Sequence, residues 1–181
     1  MFSKKRWTYQ EAEKAEVEAL QTQLNIHPVI CKLLVHRNIN TFDKAKDFFR
    51  PNLEHLHNPF LMKDMDIAIE RIEKAITKNE RILIYGDYDV DGTTAVSLVY
   101  SYFKDISDKI VYYIPDRYTE GYGISFKGID FAEENNVTLM IALDCGIKAH
   151  DKISYAKEKG IDFIICDHHL PGDTLPEAVA I

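Results

Sequence analysis

From residue 81 onwards, four short runs rich in β-branched and other apolar residues alternate with segments of helical periodicity. The runs are Arg81–Tyr85, Ile110–Ile114, Thr138–Leu143 and Asp162–Cys166, and the helical patterns between them cover Thr94–Phe103, Phe126–Glu134 and Lys148–Lys159. Strands and helices that alternate at this spacing form βαβ units, whose right-handed crossovers produce a parallel sheet covered on both faces. The sequence therefore predicts an α/β fold with a parallel β-sheet flanked by helices.

The part of the chain before this alternation is predicted to be helical. Tyr9–Leu24 contains no helix breaker, Pro28 is suited to the first turn of a second helix, and Asp64–Lys78 has apolar residues at helical spacing. We therefore expect a helical N-terminal segment over residues 1–79, packed on an α/β domain over residues 80–181.

The composition excludes several other classes of protein. With 46% hydrophobic and 28% charged residues, the chain is suited to form an ordinary globular core. No apolar run reaches the roughly 20 residues of a membrane-spanning helix. The basic start, Met1–Trp7, lacks a following apolar segment, so we expect no secretory signal, no membrane association and a cytoplasmic location. The net charge of −7 does not suggest a nucleic-acid-binding protein unless the acidic residues hold cations.

Acidic and imidazole side chains follow three of the four predicted strands, directly where each strand ends. They are Asp87, Asp89 and Asp91 after the first strand, Asp144 after the third, and Asp167, His168 and His169 after the fourth. Because α/β sheets bind ligands at the carboxyl ends of their strands, we expect these side chains to converge there. Carboxylates in such numbers repel one another, and divalent cations relieve the repulsion. Manganese, iron, zinc and magnesium all suit such a site.

The first acidic motif has two other interpretations. Asp87–Gly92 resembles the start of a calcium-binding EF-hand loop, but the twelfth position holds Leu98 instead of Glu and a strand precedes the motif. Asp89–Thr93 fits the aspartate-nucleophile phosphatases, in which the first Asp attacks phosphorus and the second is a general acid. That interpretation leaves the other acidic and imidazole residues unexplained, and it is kept as the second alternative.

Together, the three motifs resemble those of the DHH phosphoesterase superfamily. Asp87–Gly92 matches the Asp-x-Asp-x-Asp-Gly motif, Asp144 the second motif, and Asp167–His169 the Asp-His-His triplet. Within the superfamily the chain is similar to the RecJ exonucleases, which are specific for single-stranded DNA. The similarity includes the patterns at Pro115–Arg117 and Gly121–Gly123 and the helical segment before the first strand.

The resemblance implies roles for individual residues. The metal ligands that it implies are Asp89, Asp91, Asp144 and His168. It implies catalytic roles for Asp87, as a ligand or as a carboxylate beside the ligands, and for His169, which stabilises charge on phosphate or orients the site. Arg117 is a candidate phosphate contact. Tyr122 is a candidate base-stacking residue, because proteins that bind single strands stack bases on aromatic side chains.

The resemblance implies a metal-dependent 5′→3′ exonuclease that hydrolyses single-stranded DNA with Mn²⁺ or Mg²⁺ in a two-metal site. It further implies a role in recombination and repair beside a single-strand-binding protein. Members of the family continue with another Asp ligand, a second substrate-gripping domain and an OB-type module. Residues 1–181 alone are therefore expected to be weakly active or inactive. The alternatives are a small-substrate phosphodiesterase of the same superfamily, acting on oligoribonucleotides, cyclic dinucleotides or nucleotide phosphates, and the aspartate-nucleophile phosphatase.

Overall fold

The segment from residue 81 onwards folds into a four-stranded parallel β-sheet in the computed structural model, which describes residues 5–181. The strands are β1 (Arg81–Gly86), β2 (Ile110–Tyr113), β3 (Val137–Leu143) and β4 (Asp162–Cys166), in the order β2-β1-β3-β4. The predicted α/β fold is confirmed, and each strand lies within one residue of its expected bounds. The first four residues of the predicted N-terminal segment, which belong to the basic start, lie outside the described residues.

Three helices form the first part of the chain, and the first two of them share a small core. They are α1 (Lys14–Leu24), α2 (Pro28–Val35) and α3 (Phe42–Phe49). Val17 and Leu20 of α1 are buried together with Cys31 and Leu34 of α2. Contacts within the chain divide it into two compact units, one ending at Asn58 and the other spanning Pro59–Ile181. The predicted packing of the N-terminal segment on the α/β domain stays a prediction.

Two pairs of helices cover the two faces of the sheet. They are α4 (Met65–Thr77) and α5 (Val90–Lys104) on one face, and α6 (Phe126–Glu134) and α7 (His150–Glu158) on the other. Successive strand residues point to opposite faces of the sheet. Ile82 and Ile84 of β1 therefore pack on the face covered by α4 and α5, and Leu83 packs on the face covered by α6 and α7. The helix predicted over Asp64–Lys78 thus lies in the same unit as the sheet.

Helix α5 begins at Val90, four residues earlier than the predicted start at Thr94. The Asp89 carboxylate caps the helix, because its Oδ1 accepts a hydrogen bond from the Gly92 N–H at 2.9 Å. The earlier start places Asp91 in the first turn, where the helix dipole favours negative charge. Within residues 5–181, no helix has both the length and the apolar character that crossing a bilayer requires.

Candidate metal centre

The strand order opens a crevice between the carboxyl ends of β1 and β3. The chain leaves β1 towards β2 on one side and returns to form β3 on the other, which is the arrangement that creates a ligand site in α/β sheets. Asp87 directly follows β1, Asp144 directly follows β3, and Asp167 directly follows β4. The structure therefore places the acidic and imidazole motifs at one edge of the sheet.

Asp144 occupies an unusual backbone conformation at this edge. Its φ of 59° lies in the left-handed region, which few residues other than glycine adopt and which Asp and Asn tolerate best. Its N–H still donates to the Cys166 carbonyl at 2.8 Å, so the β3–β4 pairing continues up to the turn. The side chain is 11% exposed, and its Oδ1 lies 3.0 Å from Nε2 of His168. One ligand atom each from Asp144, His168 and His169 lie within 4.8 Å of one another.

Asp167 orients His169. Its carboxylate is almost fully buried and accepts hydrogen bonds from the N–H groups of Ile147 and His169, each at 3.0 Å. Its Oδ1 also lies 2.7 Å from Nδ1 of His169. Burial raises the pKa of Asp167, but these hydrogen bonds outweigh it and the net shift is downward. The hydrogen bond and the negative charge of Asp167 raise the pKa of His169. A carboxylate on Nδ1 leaves Nε2 of the imidazole available to a ligand.

Asp87 is completely buried, and both of its oxygens are used within the protein. Oδ1 accepts from the Tyr88 N–H at 2.6 Å, and Oδ2 accepts from the Gly123 N–H at 2.9 Å. Burial raises the pKa of Asp87; the two hydrogen bonds partly offset this effect, and the charges of Asp89 and Asp144 add to it. The negative charge of Asp87 is therefore unfavourable in this position, close to the carboxylates of Asp89 and Asp144. A bound divalent cation would neutralise such a group of carboxylates.

Asp89 and Asp91 lie at the same edge but outside the close group of Asp144, His168 and His169. Oδ1 of Asp89 caps α5, and its Oδ2 accepts from the Tyr122 hydroxyl at 3.3 Å. Asp91 is exposed on the first turn of α5. Of the four predicted metal ligands, Asp144 and His168 are thus in mutual contact. Asp91 borders the same cavity as Asp144 and His168, and Asp89 lies at the start of the same helix.

A cavity lies on each side of this group. One, of about 650 Å³, is bordered by Asp91, Asp144 and His168. The other, of about 330 Å³, is bordered by Tyr122 and His169. Each cavity therefore gives access to members of this group.

Arg117 and Tyr122, the two predicted substrate contacts, belong to one row of side chains on the surface. The guanidinium carbon of Arg117 lies 4.7 Å from the ring centroid of Tyr88, whose ring stands edge-to-face with Tyr122 at 5.8 Å. The Tyr122 ring in turn lies 6.5 Å from the His169 ring. Burial, followed by the charges of Asp89 and Asp87, raises the pKa of Tyr122 to about 12. Tyr88 was not predicted from the sequence as a member of this row. Its position inside the acidic motif could have indicated that it lies at the site.

The packing of Gly92 explains why the acidic motif ends in glycine. A Cβ at this position would lie 2.5 Å from the Asp87 carbonyl oxygen and 2.6 Å from the Asp87 nitrogen. The backbone that carries Asp87 therefore crosses the first turn of α5 without room for a side chain. This close approach fixes the distance between the buried carboxylate and the helix that carries Asp91.

Comparison with known proteins supports the resemblance to the DHH superfamily independently of the site geometry. Residues 81–181 match the model of the protein family described as "DHH family, N-terminal domain". The single-stranded-DNA-specific exonuclease RecJ of Bacillus subtilis is 41% identical over 179 residues, which is 99% of this chain and 23% of that protein. The chain thus spans about a quarter of that relative's length.

Two solved structures share the fold. A crystal structure of exonuclease RecJ bound to manganese has 32% identity and a TM-score of 0.58, and the match covers 63% of this chain and 29% of that one. RecJ of Thermus thermophilus in complex with Mn²⁺ has 25% identity and a TM-score of 0.68, and the match covers 92% of this chain and 23% of that one. The family match extends over the whole sheet and all three motifs, and the chain belongs to the DHH family.

Proposed function

We propose that this chain provides the metal-binding part of a RecJ-like exonuclease that degrades single-stranded DNA. The observation that carries the proposal is the group formed by Asp144, His168 and His169 at the crevice between β1 and β3, beside the four further carboxylates of Asp87, Asp89, Asp91 and Asp167. Its relatives are exonucleases of this specificity by name, and two are crystallised with manganese. The ions we propose are Mn²⁺ or Mg²⁺ in a two-metal site.

The donor set suits such ions because it combines hard carboxylate oxygens with imidazole nitrogen. Asp144 and His168 would hold one ion, with Asp89 and Asp91 supplying further oxygens from the start of α5. A bound ion would activate water and stabilise negative charge on the phosphate. His169, whose Nδ1 is held by Asp167, presents Nε2 to a phosphate oxygen and there holds a proton. The buried Asp87 accepts hydrogen bonds from the N–H groups of Tyr88 and Gly123 and so holds the backbone next to the site.

The substrate we propose is a single strand because the row beside the ligands offers aromatic faces and a cation. Tyr122 is 55% exposed, so its ring is available to an unpaired base. Arg117 offers a guanidinium to the sugar–phosphate backbone. With a net charge of −7, the chain needs bound cations, and basic groups of a larger protein, to attract a polyanion.

The resemblance to RecJ supports the finer parts of the proposal. They are 5′→3′ digestion, a role in DNA recombination and repair, a cytoplasmic location, and cooperation with a single-strand-binding protein. The second substrate-gripping domain and the OB-type module, as parts of the same polypeptide, complete the proposed enzyme. We also propose that the N-terminal helices pack on the DHH domain.

The proposal is tested first by metal binding to the chain itself. We expect Mn²⁺ to bind in isothermal titration calorimetry and the Asp144→Asn variant to lose at least tenfold in affinity. Asn tolerates the left-handed backbone at this position, so the change removes charge without adding strain. Asp108→Asn, at a fully exposed aspartate before β2, is the matched control and should bind as tightly as wild type. Equal affinities in all three proteins would contradict the proposed metal site.

Substrate class is tested by digestion of 3′-labelled oligonucleotides of increasing length in Mn²⁺. A processive loss of long single strands, and resistance of duplexes, is expected from the enzyme that contains this segment. Preference for dinucleotides or nucleotide phosphates would favour the small-substrate phosphodiesterase. A phosphoryl group trapped on Asp89 would favour the aspartate-nucleophile alternative.

A further inference from the structure

We propose that Glu120 and Asp87 are positioning residues, which fix the loop between β2 and α6 so that Tyr122 stands beside the candidate metal ligands. The loop spans residues 114–125 and carries both predicted substrate contacts. The part of the inference that concerns DNA rests on the proposed function. The part that concerns the position of Tyr122 rests on the hydrogen bonds alone.

Glu120 joins the two ends of the loop. Oε1 accepts from the Asp116 N–H at 2.8 Å, near the start of the loop. Oε2 accepts from the Ser125 hydroxyl at 2.5 Å, at the residue that caps α6. The Tyr113 hydroxyl, at the end of β2, lies 3.0 Å from one oxygen and 2.9 Å from the other. A single carboxylate therefore ties the strand, the loop and the helix together, although Glu120 itself belongs to a surface loop.

Asp87 and Tyr85 hold the loop at Gly123 from the other side. The Gly123 N–H donates to Oδ2 of Asp87 at 2.9 Å, and the Gly123 carbonyl accepts from the Tyr85 hydroxyl at 2.9 Å. The Tyr85 hydroxyl also accepts from the Ser125 N–H at 3.1 Å. Tyr85 and Asp87 are both completely buried, so these contacts anchor the loop to the sheet and to the acidic motif.

These two anchors compensate for a backbone that is flexible by composition. Gly121 and Gly123 both have positive φ, 84° and 86°, and neither would meet another atom within 4 Å if it carried a Cβ. Glycines in open space leave a loop many conformations. Tyr122 lies between them, and the hydrogen bonds to Glu120, Asp87 and Tyr85 restrict the backbone on which its ring is carried.

The consequence is an exposed aromatic ring with a defined position. The Tyr122 hydroxyl lies 3.3 Å from Oδ2 of Asp89, and its ring stands edge-to-face with Tyr88. A side chain that is already ordered loses less conformational freedom when a ligand binds, so binding is tighter. Glu120 and Asp87 therefore act on a base through Tyr122, without touching the base themselves.

Nuclear magnetic resonance of the labelled chain tests the positions directly. In wild type, we expect contacts between the ring protons of Tyr122 and Tyr88 and slow hydrogen exchange of the Gly123 amide. In Glu120→Ala, the ring contacts should disappear and exchange at Gly123 should accelerate at least tenfold. Glu120→Gln, which keeps an oxygen for the Asp116 N–H, should restore part of both signals. Glu134→Ala, at an exposed glutamate of α6, is the control and should match wild type.

Oligonucleotide binding supplies the second readout. In saturating Mn²⁺, Glu120→Ala should weaken the binding of a fluorescent oligo(dT) at least tenfold, while the affinity for Mn²⁺ stays within twofold. Tyr122→Ala should weaken oligo(dT) binding similarly, and the double variant should be no weaker than either single one. A residue that only stabilises the fold would lower the melting temperature without this shared loss.

The outcomes separate the two proposals. Unchanged Tyr122 contacts in Glu120→Ala would overturn the positioning inference, whatever the chain binds. Failure of wild type to bind Mn²⁺ would overturn the proposed function, and the ring contacts would then decide the inference alone. If Glu120→Ala does not fold, Tyr113→Phe removes one hydroxyl from the same network and keeps the ring. The ring contacts in that variant should weaken, and their full retention would overturn the inference.

Discussion

At the amino-terminal edge of the sheet, carboxylates pair with an arginine, whereas at the carboxyl-terminal edge carboxylates lie beside one another and beside histidines. Arg71 of α4 donates through Nε to Asp162 at 2.6 Å and through a guanidinium NH₂ group to Glu80 at 2.7 Å. At the other edge, within residues 5–181, the ion pairs of Asp144 and Asp167 are with histidines alone. The carboxylates of the first edge share an arginine within the fold, and those of the second edge are the ones that we propose to bind metal ions.

The difference separates charges that have partners within the fold from charges that we propose to serve a ligand. Glu80 also accepts from the Thr138 hydroxyl at 2.7 Å, so the amino-terminal group connects α4 with the beginnings of β1, β3 and β4. Asp87 has no such cation, and its pKa is raised by burial, with the neighbouring carboxylates adding to the shift. Proteins keep unbalanced buried charge of this kind mainly at functional sites.

Arg71→Met should produce the largest loss of stability, because it leaves Glu80 and Asp162 without their cation. Breaking a buried ion pair costs about 3–5 kcal/mol, and the half-exposed Asp162 places this case near the lower end, about 3 kcal/mol. Urea unfolding measures the change. Lys104→Met, whose partner is a fully exposed aspartate, should cost under about 0.5 kcal/mol. Equal costs in the two variants would mean that the amino-terminal group is no more than surface charge.

Mn²⁺ should stabilise the protein through the opposite edge. At a free concentration 100 times its Kd, binding to the folded state alone adds about 2.7 kcal/mol to the free energy of unfolding. We expect this gain in wild type and in Arg71→Met, because the two edges are separate. Asp144→Asn should lose most of it at the same Mn²⁺ concentration. A gain that survives Asp144→Asn would place the ion elsewhere.

Acid should weaken the amino-terminal edge by a smaller amount. Burial raises the pKa of Glu80, but the hydrogen bonds from Thr138 and Arg71 and the charge of Arg71 outweigh it, so the net shift is downward. Such a group contributes stability that is present above its unfolded pKa, about 4.3 for Glu, and is lost as the pH falls through the folded value.

Glu80→Gln should therefore be less stable than wild type at neutral pH and lose less stability between pH 7 and pH values below about 4. Urea unfolding at several pH values tests this, with Glu134→Gln as the control that keeps the slope of wild type. Parallel curves for wild type and Glu80→Gln would show that Arg71 does not hold the Glu80 carboxylate in its charged form.

The elements that depend on local pattern were predictable from sequence. The helix expected to start at Pro28 does start there, and Phe126–Glu134 has its expected bounds. The placement of the acidic motifs at one edge also followed from the predicted parallel sheet, since parallel strands bring their carboxyl ends to the same edge. The start of α5 was wrong, because the capping role of Asp89 depends on a side-chain rotamer that a pattern does not reveal.

The roles of residues whose hydrogen-bond partners are distant in sequence were not predictable from the sequence. Arg71 has the spacing of a solvated helix face, yet its partners are 9 and 91 residues away. Tyr85 belongs to an apolar strand, and only the folded loop shows that its hydroxyl binds Gly123. Glu120 lies in a segment whose sequence is that of an ordinary turn, and nothing in that sequence indicates its hydrogen bonds. In each case the decisive hydrogen bond joins segments whose proximity arises from the tertiary fold.

Paramagnetic broadening by Mn²⁺ tests most directly whether the carboxyl-terminal edge is the metal centre. The amide signals of Asp144, His168 and His169, and of Gly123 in the anchored loop, should broaden first as Mn²⁺ is added in substoichiometric amounts. Signals of Glu80 and Thr138, at the opposite edge, should stay sharp. Broadening at both edges together, or at the amino-terminal edge first, would contradict the assignment of the metal centre to the crevice between β1 and β3.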